Sequence, residues 1–284
     1  MSSDASPVGD NDGSGATGAG SGVTGDNGTD DHGTAPGEPV LSVRHLVKRF
    51  GAVTAVDDVS LDVRPGEVLG IVGDNGAGKS TFLSLLSGYN HPDAGEFRYR
   101  GQPVRISSPA QTRRELGIEM VYQDLAMSPD LNVWQNLFLG EERRRWRVFL
   151  DRQGMRARAR EVLREMNTKI EPGAPASGLS GGERQLVAIA RGLLFDRDII
   201  MLDEPTAAIS VTKADDVLRT IRSLGERGKT VILISHRLED VLAVANRVAV
   251  FAAGRIVSVA DNDGLTVETL LHLMFGARAG GRAL

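Results

Sequence analysis

Leu179-Ser180-Gly181-Gly182-Glu183-Arg184-Gln185 reads, taken alone, as a small polar turn followed by the start of a helix. Its neighbours make it decisive. Upstream lies a glycine-rich loop, Gly73-Asp74-Asn75-Gly76-Ala77-Gly78-Lys79-Ser80. Downstream lies Ile199-Ile200-Met201-Leu202-Asp203-Glu204, an apolar strand that ends on two acids.

Gly73-x-x-x-x-Gly78-Lys79-Ser80 matches the P-loop pattern in full. Its glycines let backbone N–H groups turn inward around phosphate oxygens, Lys79 reaches the β- and γ-phosphates, and Ser80 is placed to ligate Mg²⁺. A helix that follows points the positive end of its dipole at the same phosphates. The motif requires a strand before it and a helix after it, and both patterns are present. Asp203 closes its strand where a carboxylate can hold Mg²⁺ directly or through water. Glu204, one residue on, points to the other side and can polarise an attacking water. Adjacent acids at a strand end carry little weight alone and a great deal after a P-loop. His236, in Ile234-Ser235-His236-Arg237, follows another apolar strand. A lone histidine there is usually structural; beside a strand ending in Asp203-Glu204, contact with a γ-phosphate is the better reading. Gln123, in Val121-Tyr122-Gln123-Asp124, means little outside that frame.

The chain has 284 residues, 41% hydrophobic and 25% charged, enough for one globular domain with a full core. Residues 1–39 hold seven acids and no Lys or Arg, which leaves 30 acids against 33 bases, or +3, on the rest. That excess is too small to argue for nucleic-acid binding. The absence of cysteine excludes disulfides and thiolate metal sites and fits a reducing cytoplasm. The N-terminus lacks the basic start and apolar core of a signal peptide. No apolar run approaches the ~20 residues a membrane span needs, so a membrane role is expected to go through a partner.

Residues 1–39, rich in Gly, Ser, Thr, Asp and Asn, read as a disordered solubilising tail. Val43, Leu46, Val47, Val53, Val56, Val59, Leu61 and Val63 fall in alternating runs that predict antiparallel strands. Glu67–Val72 predicts a short strand into the glycine loop, and a helix is predicted from Ser80 to Gly88. Gly95–Ile106 predicts a further hairpin. Residues 109–167 read as mostly helical, with an arginine-rich patch (Arg143, Arg144, Arg145, Arg147, Arg152, Arg156, Arg158, Arg160) for which a solvated face is favoured over contact with anionic headgroups. Helices over Glu183–Leu194 and Thr212–Glu226 alternate with strands over Asp198–Leu202 and Thr230–Ile234. Such alternation gives a parallel sheet. Arg247–Ala260 predicts two closing strands, and one glycine loop with one signature turn means no duplication.

These pieces, in this order, resemble the ATP-binding cassette (ABC) ATPases. Gly73–Ser80 is similar to the Walker A motif, Ile199–Asp203 to Walker B, Glu204 to the catalytic glutamate, Leu179–Gln185 to the signature motif and His236 to the switch histidine. Gln123 matches the Q-loop glutamine, a Mg²⁺ ligand that senses the membrane partner, and Phe50 the aromatic residue that stacks on adenine. The resemblance covers residues 40–260. It implies an α/β P-loop NTPase fold: a RecA-like parallel-sheet core with an antiparallel β subdomain and a helical subdomain over about 109–182, the domain spanning 40–275 with a short tail over 276–284. ATP would be bound by Phe50, by Gly73, Asp74, Asn75, Gly76, Ala77, Gly78, Lys79, Ser80 and Thr81, and by Ser180, Gly181 and Gly182. Mg²⁺ would be held by Ser80, Gln123 and Asp203, with Glu204, His236 and Lys79 catalytic.

In this family the signature turn serves the other cassette. Two cassettes sandwich two ATP molecules head to tail, so a homodimer is expected. One departure stands out: Ala207-Ala208-Ile209-Ser210 ends in Ser210 where most of the family has Asp. The carbohydrate-importer branch often lacks that Asp. Ser107-Ser108-Pro109-Ala110, Gly117–Leu125 and Asn136-Leu137-Phe138-Leu139-Gly140-Glu141 look like the fructose- and ribose-type sugar importers, and the single cassette is closer to the fructose-type arrangement. The expectation is an ATPase subunit peripheral to the cytoplasmic face of the membrane, bound to a permease and served indirectly by a sugar-binding protein. The alternatives are a soluble ABC ATPase of translation or DNA repair, whose relatives usually carry two cassettes or a coiled-coil insertion, and a nucleotide-binding regulator with weak hydrolysis.

Overall fold

Val68-Leu69-Gly70-Ile71-Val72-Gly73 is buried at all six positions, the mark of a strand covered on both faces. In the structure, a computed structural model describing residues 37–122, 127–145, 149–207 and 209–280, this segment is the third strand. The chain begins with β1 (Leu41–Phe50), β2 (Val53–Val63), β3 (Val68–Gly73), α1 (Lys79–Leu86), β4 (Ala94–Tyr99) and β5 (Gln102–Val104). It continues through α2 (Pro109–Glu115), β6 (Ile118–Val121), α3 (Val133–Phe138), the short pair β7 (Arg144–Arg145) and β8 (Phe149–Leu150), and α4 (Arg152–Glu165). The last part holds α5 (Gly181–Leu194), β9 (Ile199–Asp203), α6 (Val211–Glu226), β10 (Thr230–Ile234), α7 (Leu238–Val244), β11 (Arg247–Ala252), β12 (Arg255–Asp261) and α8 (Val267–Gly280).

Six strands form the central sheet in the order β12-β11-β3-β10-β9-β6. β11, β3, β10, β9 and β6 run parallel, and β12 closes the edge antiparallel to β11. A second sheet, β2-β1-β4-β5, is antiparallel throughout, as the alternating valines of that region predict. Successive side chains of a strand point to opposite faces. Accordingly Ile200 and Leu202 of β9, Val231 and Leu233 of β10, and Val72 of β3 pack on α5 and α6 side chains such as Ile189 and Val217. Ile199, Met201, Ile232, Ile234, Leu69 and Ile71 pack on the other side with α1 and the antiparallel sheet.

The helices follow from their spacing and caps. Ala214, Val217, Ile221 and Leu224 give α6 a buried stripe at intervals of three and four. Asp151 caps α4 by accepting from Gly154 N, and Ser108 caps α2 by accepting from Gln111 N. On the arginine-rich face, Arg158 pairs with Glu161 and Glu165, whereas Arg152, Arg156 and Arg164 stand exposed.

One expectation is corrected. Ile118–Val121, read within a mostly helical stretch, is an edge strand of the parallel sheet, in register with Ile199–Leu202. Gly117 turns the chain at φ +60°, and its carbonyl accepts from the backbone N–H of Asp198 and Ile199. An apolar run of four after such a turn is too short for a helix, and the free edge of β9 takes it up. α7 and α8 were not anticipated; Leu270 and Met274, four apart, seat α8 on the core.

Phe82 of α1 is fully buried, and its ring meets Phe251 of β11 with centroids 5.4 Å apart. This contact seats the helix after the glycine loop on the sheet. Phe82→Ala is expected to cost about 3–5 kcal/mol, measured by urea unfolding, with Phe82→Leu well below that. A loss under about 1 kcal/mol for Phe82→Ala would show that α1 is seated by other contacts.

Candidate functional site

The chain from Gly73 to Lys79 needs backbone shapes that side chains resist. Gly73, Gly76 and Gly78 lie at φ +153°, +79° and +105°. A Cβ at Gly78 would run into the carbonyl oxygen of Ala55, and one at Gly73 into that of Phe251. Gly76 has open space around it. Gly78 is the residue before α1, so the N-terminal amides of that helix open onto the loop.

Lys79 is 6% exposed, and its Nζ donates to the carbonyls of Gly73 at 2.8 Å and Asp74 at 2.9 Å. Burial pushes its pKa down, while the charges of Glu204, Asp203 and Asp74 push it back up. Asp203 ends β9 directly beside Ile234 of β10. Burial raises its pKa; the hydrogen bond from Ser80 and the charge of Lys79 lower it, and the charge of Glu204 raises it. Oδ1 of Asp203 is buried and has no hydrogen-bond partner.

Glu204 adopts φ +51°, a left-handed conformation rare for a residue with a side chain. Its N–H donates to the carbonyl of Ile234 at 2.9 Å. Its Oε2 lies 2.6 Å from Nδ1 of His236 and accepts from the His236 N–H at 3.3 Å. The glycine loop, the two acids and the histidine therefore meet at the carboxyl ends of three adjacent strands, β3, β10 and β9, where open parallel sheets bind ligands.

Asn75, Gly76, Gly78, Lys79, Ser80, Thr81, Glu204 and His236 line one cavity of about 620 Å³. Its remaining walls were not legible as site residues: Val53, Thr54 and Ala55 from the antiparallel sheet, Ala207, and Ala253-Gly254 from the β11–β12 turn. Gly254 is tied in by its N–H to the carbonyl of Ala77 at 2.9 Å and by its own carbonyl to the Asp57 N–H at 2.8 Å. Phe50 does not line the cavity. It ends β1 opposite Val53, half-exposed, with Lys48 Nζ 5.4 Å above its ring, and Val53 is the apolar residue on the wall.

Ser180, Gly181 and Gly182 also lie outside this cavity, at the start of α5. Ser180 caps that helix: its Oγ accepts from the Glu183 N–H, while Glu183 Oε2 accepts from the Ser180 N–H at 2.9 Å and from its hydroxyl at 2.7 Å. The Ser180 hydroxyl is the main reason the Glu183 pKa is lowered. Ser210 caps α6 through its backbone alone. Gln123, Asp124, Arg147 and Ala208 lie outside the described residues. A second cavity of about 510 Å³, between the end of α4, α5 and α6, is lined by apolar side chains such as Leu186 and Leu224 and by charges of both signs, and no residue of the glycine loop lines it.

The parallel sheet, the glycine loop and the acids at the neighbouring strand end define a P-loop nucleoside triphosphatase. The chain matches the ABC transporter family over residues 56–207 and belongs to it; it is an ATP-binding cassette ATPase. It is 41% identical over 249 residues to the fructose import ATP-binding protein FrcA of Rhizobium meliloti, covering 85% of this chain and 95% of that one. It is 39% identical over 236 residues to the xylose/arabinose import ATP-binding protein XylG of Sulfolobus acidocaldarius, covering 83% and 93%. With a ribose import ATP-binding protein of Streptomyces avermitilis the identity is 38% over 84% of this chain, which spans only 47% of that relative's length. A nucleotide-free ATP-binding cassette from an ABC transporter superposes with a TM-score of 0.72 at 26% identity, over 83% of this chain and 95% of that one. A cassette crystallised in its ADP conformation gives 0.70 at 25% identity, over 85% and 97%.

The two loop glycines separate strain from fit. Gly76→Ala should cost only left-handed strain, about 1–2 kcal/mol, and keep measurable ATP affinity. Gly78→Ala adds a clash with the Ala55 backbone and should abolish ATP binding in a calorimetric titration. Equal affinities for the two variants would contradict the backbone packing described.

Proposed function

We propose that this cassette energises uptake of a carbohydrate, working as two copies bound to a membrane permease that receives its sugar from a binding protein. The observation that carries the reading is the 41% identity to a fructose import ATP-binding protein, sustained over nearly the full length of both chains. The 39% identity to a xylose/arabinose import protein, again nearly end to end, points to the same substrate class. No described helix is long and apolar enough to cross a membrane, so the permease would supply the path. The cytoplasmic face of the membrane, where ATP is available, is the proposed location.

In this reading the triphosphate lies along Gly73–Thr81, with loop amides and the start of α1 facing its oxygens and Lys79 giving up its two carbonyl partners for the β- and γ-phosphates. Phe50, with Val53 paired beside it across the strands, offers the surface on which adenine stacks. The residues fit a magnesium ion. Asp203 Oδ1 is a buried acceptor without a partner, Ser80 is beside it, and no cluster of three or more metal-ligating side chains occurs among the described residues. That composition suits Mg²⁺, which is commonly held by one or two protein oxygens together with substrate phosphates and water. Ser80 and Asp203 would hold it, with Gln123 as a further ligand. When bound it neutralises charge on the phosphate oxygens.

Glu204 acts as the general base, taking a proton from the attacking water on its carboxylate. The His236 proton on Nδ1 holds that carboxylate by one oxygen. Its other nitrogen, Nε2, can donate to a phosphate oxygen only when the ring carries both protons. Ser180, Gly181 and Gly182, outside their own chain's cavity, complete the cavity of the second copy. There the start of α5 faces the γ-phosphate as an anion site.

Co-expressed with a multi-span permease, the chain should co-purify at two copies per complex. Its ATPase should then rise when a sugar-loaded binding protein is added, and Gln123→Ala should blunt that rise more than the basal rate. Sedimentation with ribosomes or DNA, with no membrane protein retained, would replace this reading with a soluble ABC ATPase.

A further inference from the structure

Thr206 and Asp240 lie 34 positions apart, and both are buried, at 2% and 5% exposure. The Thr206 hydroxyl donates to Asp240 Oδ2 at 2.6 Å. The other carboxylate oxygen, Oδ1, faces the Arg237 guanidinium at 3.5 Å. A buried carboxylate is costly to keep, and removing a partner from a buried polar group costs more than the bond returns. The position of this pair makes that cost informative.

Thr206 belongs to the turn Glu204-Pro205-Thr206-Ala207, closed by the Ala207 N–H donating to the Glu204 carbonyl at 3.2 Å. Asp240 sits in the first turn of α7, the helix that begins just after His236. Three links therefore join the two segments. The first is the backbone bond from Glu204 N–H to the Ile234 carbonyl at 2.9 Å. The second is Glu204 Oε2 with His236, 2.6 Å from Nδ1 and accepting from the backbone N–H at 3.3 Å. The third is the Thr206–Asp240 bond. The outer two straddle the reacting pair. The pair itself is the exposed member, since the His236 side chain is 53% accessible, and Glu204 holds an unfavourable left-handed backbone. A residue at φ +51° persists only where its surroundings over-determine it.

We propose that Thr206 and Asp240 are positioning residues for hydrolysis. Their bond clamps the turn carrying Glu204 to the helix start carrying His236, so that the carboxylate stays aimed when the cleft rearranges during turnover. The proposal rests on the assignment of Glu204 and His236 as the reacting pair. Neither Thr206 nor Asp240 lines the cavity, so neither is expected to contribute to nucleotide affinity.

The test measures kcat and KM for ATP with the full chain, alongside ATP affinity by calorimetry, with kcat expressed per molecule that binds nucleotide. Thr206→Val, which keeps the shape and removes the hydroxyl, should lower kcat about tenfold while KM and affinity stay within about twofold. Thr206→Ser, which restores the hydroxyl, should bring kcat back to within about twofold of native. Asp240→Ala reads the same bond from the other side and serves if Thr206→Val does not fold. The double variant should be no slower than the slower single one, because both remove one interaction. Native kcat in either single variant overturns the proposal. So does a loss that Thr206→Ser fails to rescue, or one in which affinity falls in step with kcat. Glu204→Gln is the control for the underlying assignment. If it hydrolyses ATP at the native rate, the base role fails; if it is inactive while Thr206→Val is native, only the clamp fails.

Discussion

Parallel pairing of β3, β10 and β9 decides where the glycine loop, Asp203, Glu204 and His236, the groups proposed to react, sit. Ile71 pairs with Ile234, and Ile234 with Asp203, so β10 and β9 end level while β3 runs two residues further to Gly73. The glycine loop leaves the first, the Ser235-His236 segment the second, and Glu204 the third. A slip of one residue in either pairing would turn each strand's buried set to the opposite face and carry Asp203 or Glu204 away from Lys79. Register is therefore a condition of chemistry as much as of packing. Near-complete burial of all three strands, with distinct side-chain sets facing the two cores, is what enforces it.

The same burial sets the electrostatics. Lys79 and Asp203 are both pushed by burial toward their uncharged forms, and each is held partly back by the other's charge. A site of this kind favours a ligand that brings both a dense negative charge and a cation, because each restores charge to one side. MgATP meets both requirements. The orphan Oδ1 of Asp203 makes the same point structurally, since a buried acceptor without a partner costs stability until something binds it.

Much of the site was legible because phosphate binding needs a local backbone shape, and that shape restricts residues over a short window. Gly73–Ser80, Asp203-Glu204 and His236 could be read in that way. The illegible walls come from tertiary contacts. Val53 and the Ala253-Gly254 turn reach the cavity only because the antiparallel sheet and the β11–β12 turn dock on the loop through the Ala77, Gly254 and Asp57 backbone bonds. Phe50 was named by a pattern match, and its pairing with Val53 across β1 and β2 sets it next to the cavity wall that Val53 lines. β6 was hidden by length, since four apolar residues carry no usable period. The Thr206–Asp240 bond joins segments whose sequences say nothing of each other.

The central claim is that this cleft, with Lys79 at its floor, is the ATP site. The most direct test titrates MgATP into the native chain and into Lys79→Ala by calorimetry, with folding of both checked by thermal melting. The account predicts saturable binding by the native chain and its loss in the folded variant, because the charge paired with the β- and γ-phosphates is gone from a buried position. Unchanged affinity in Lys79→Ala would place the nucleotide elsewhere and contradict the account.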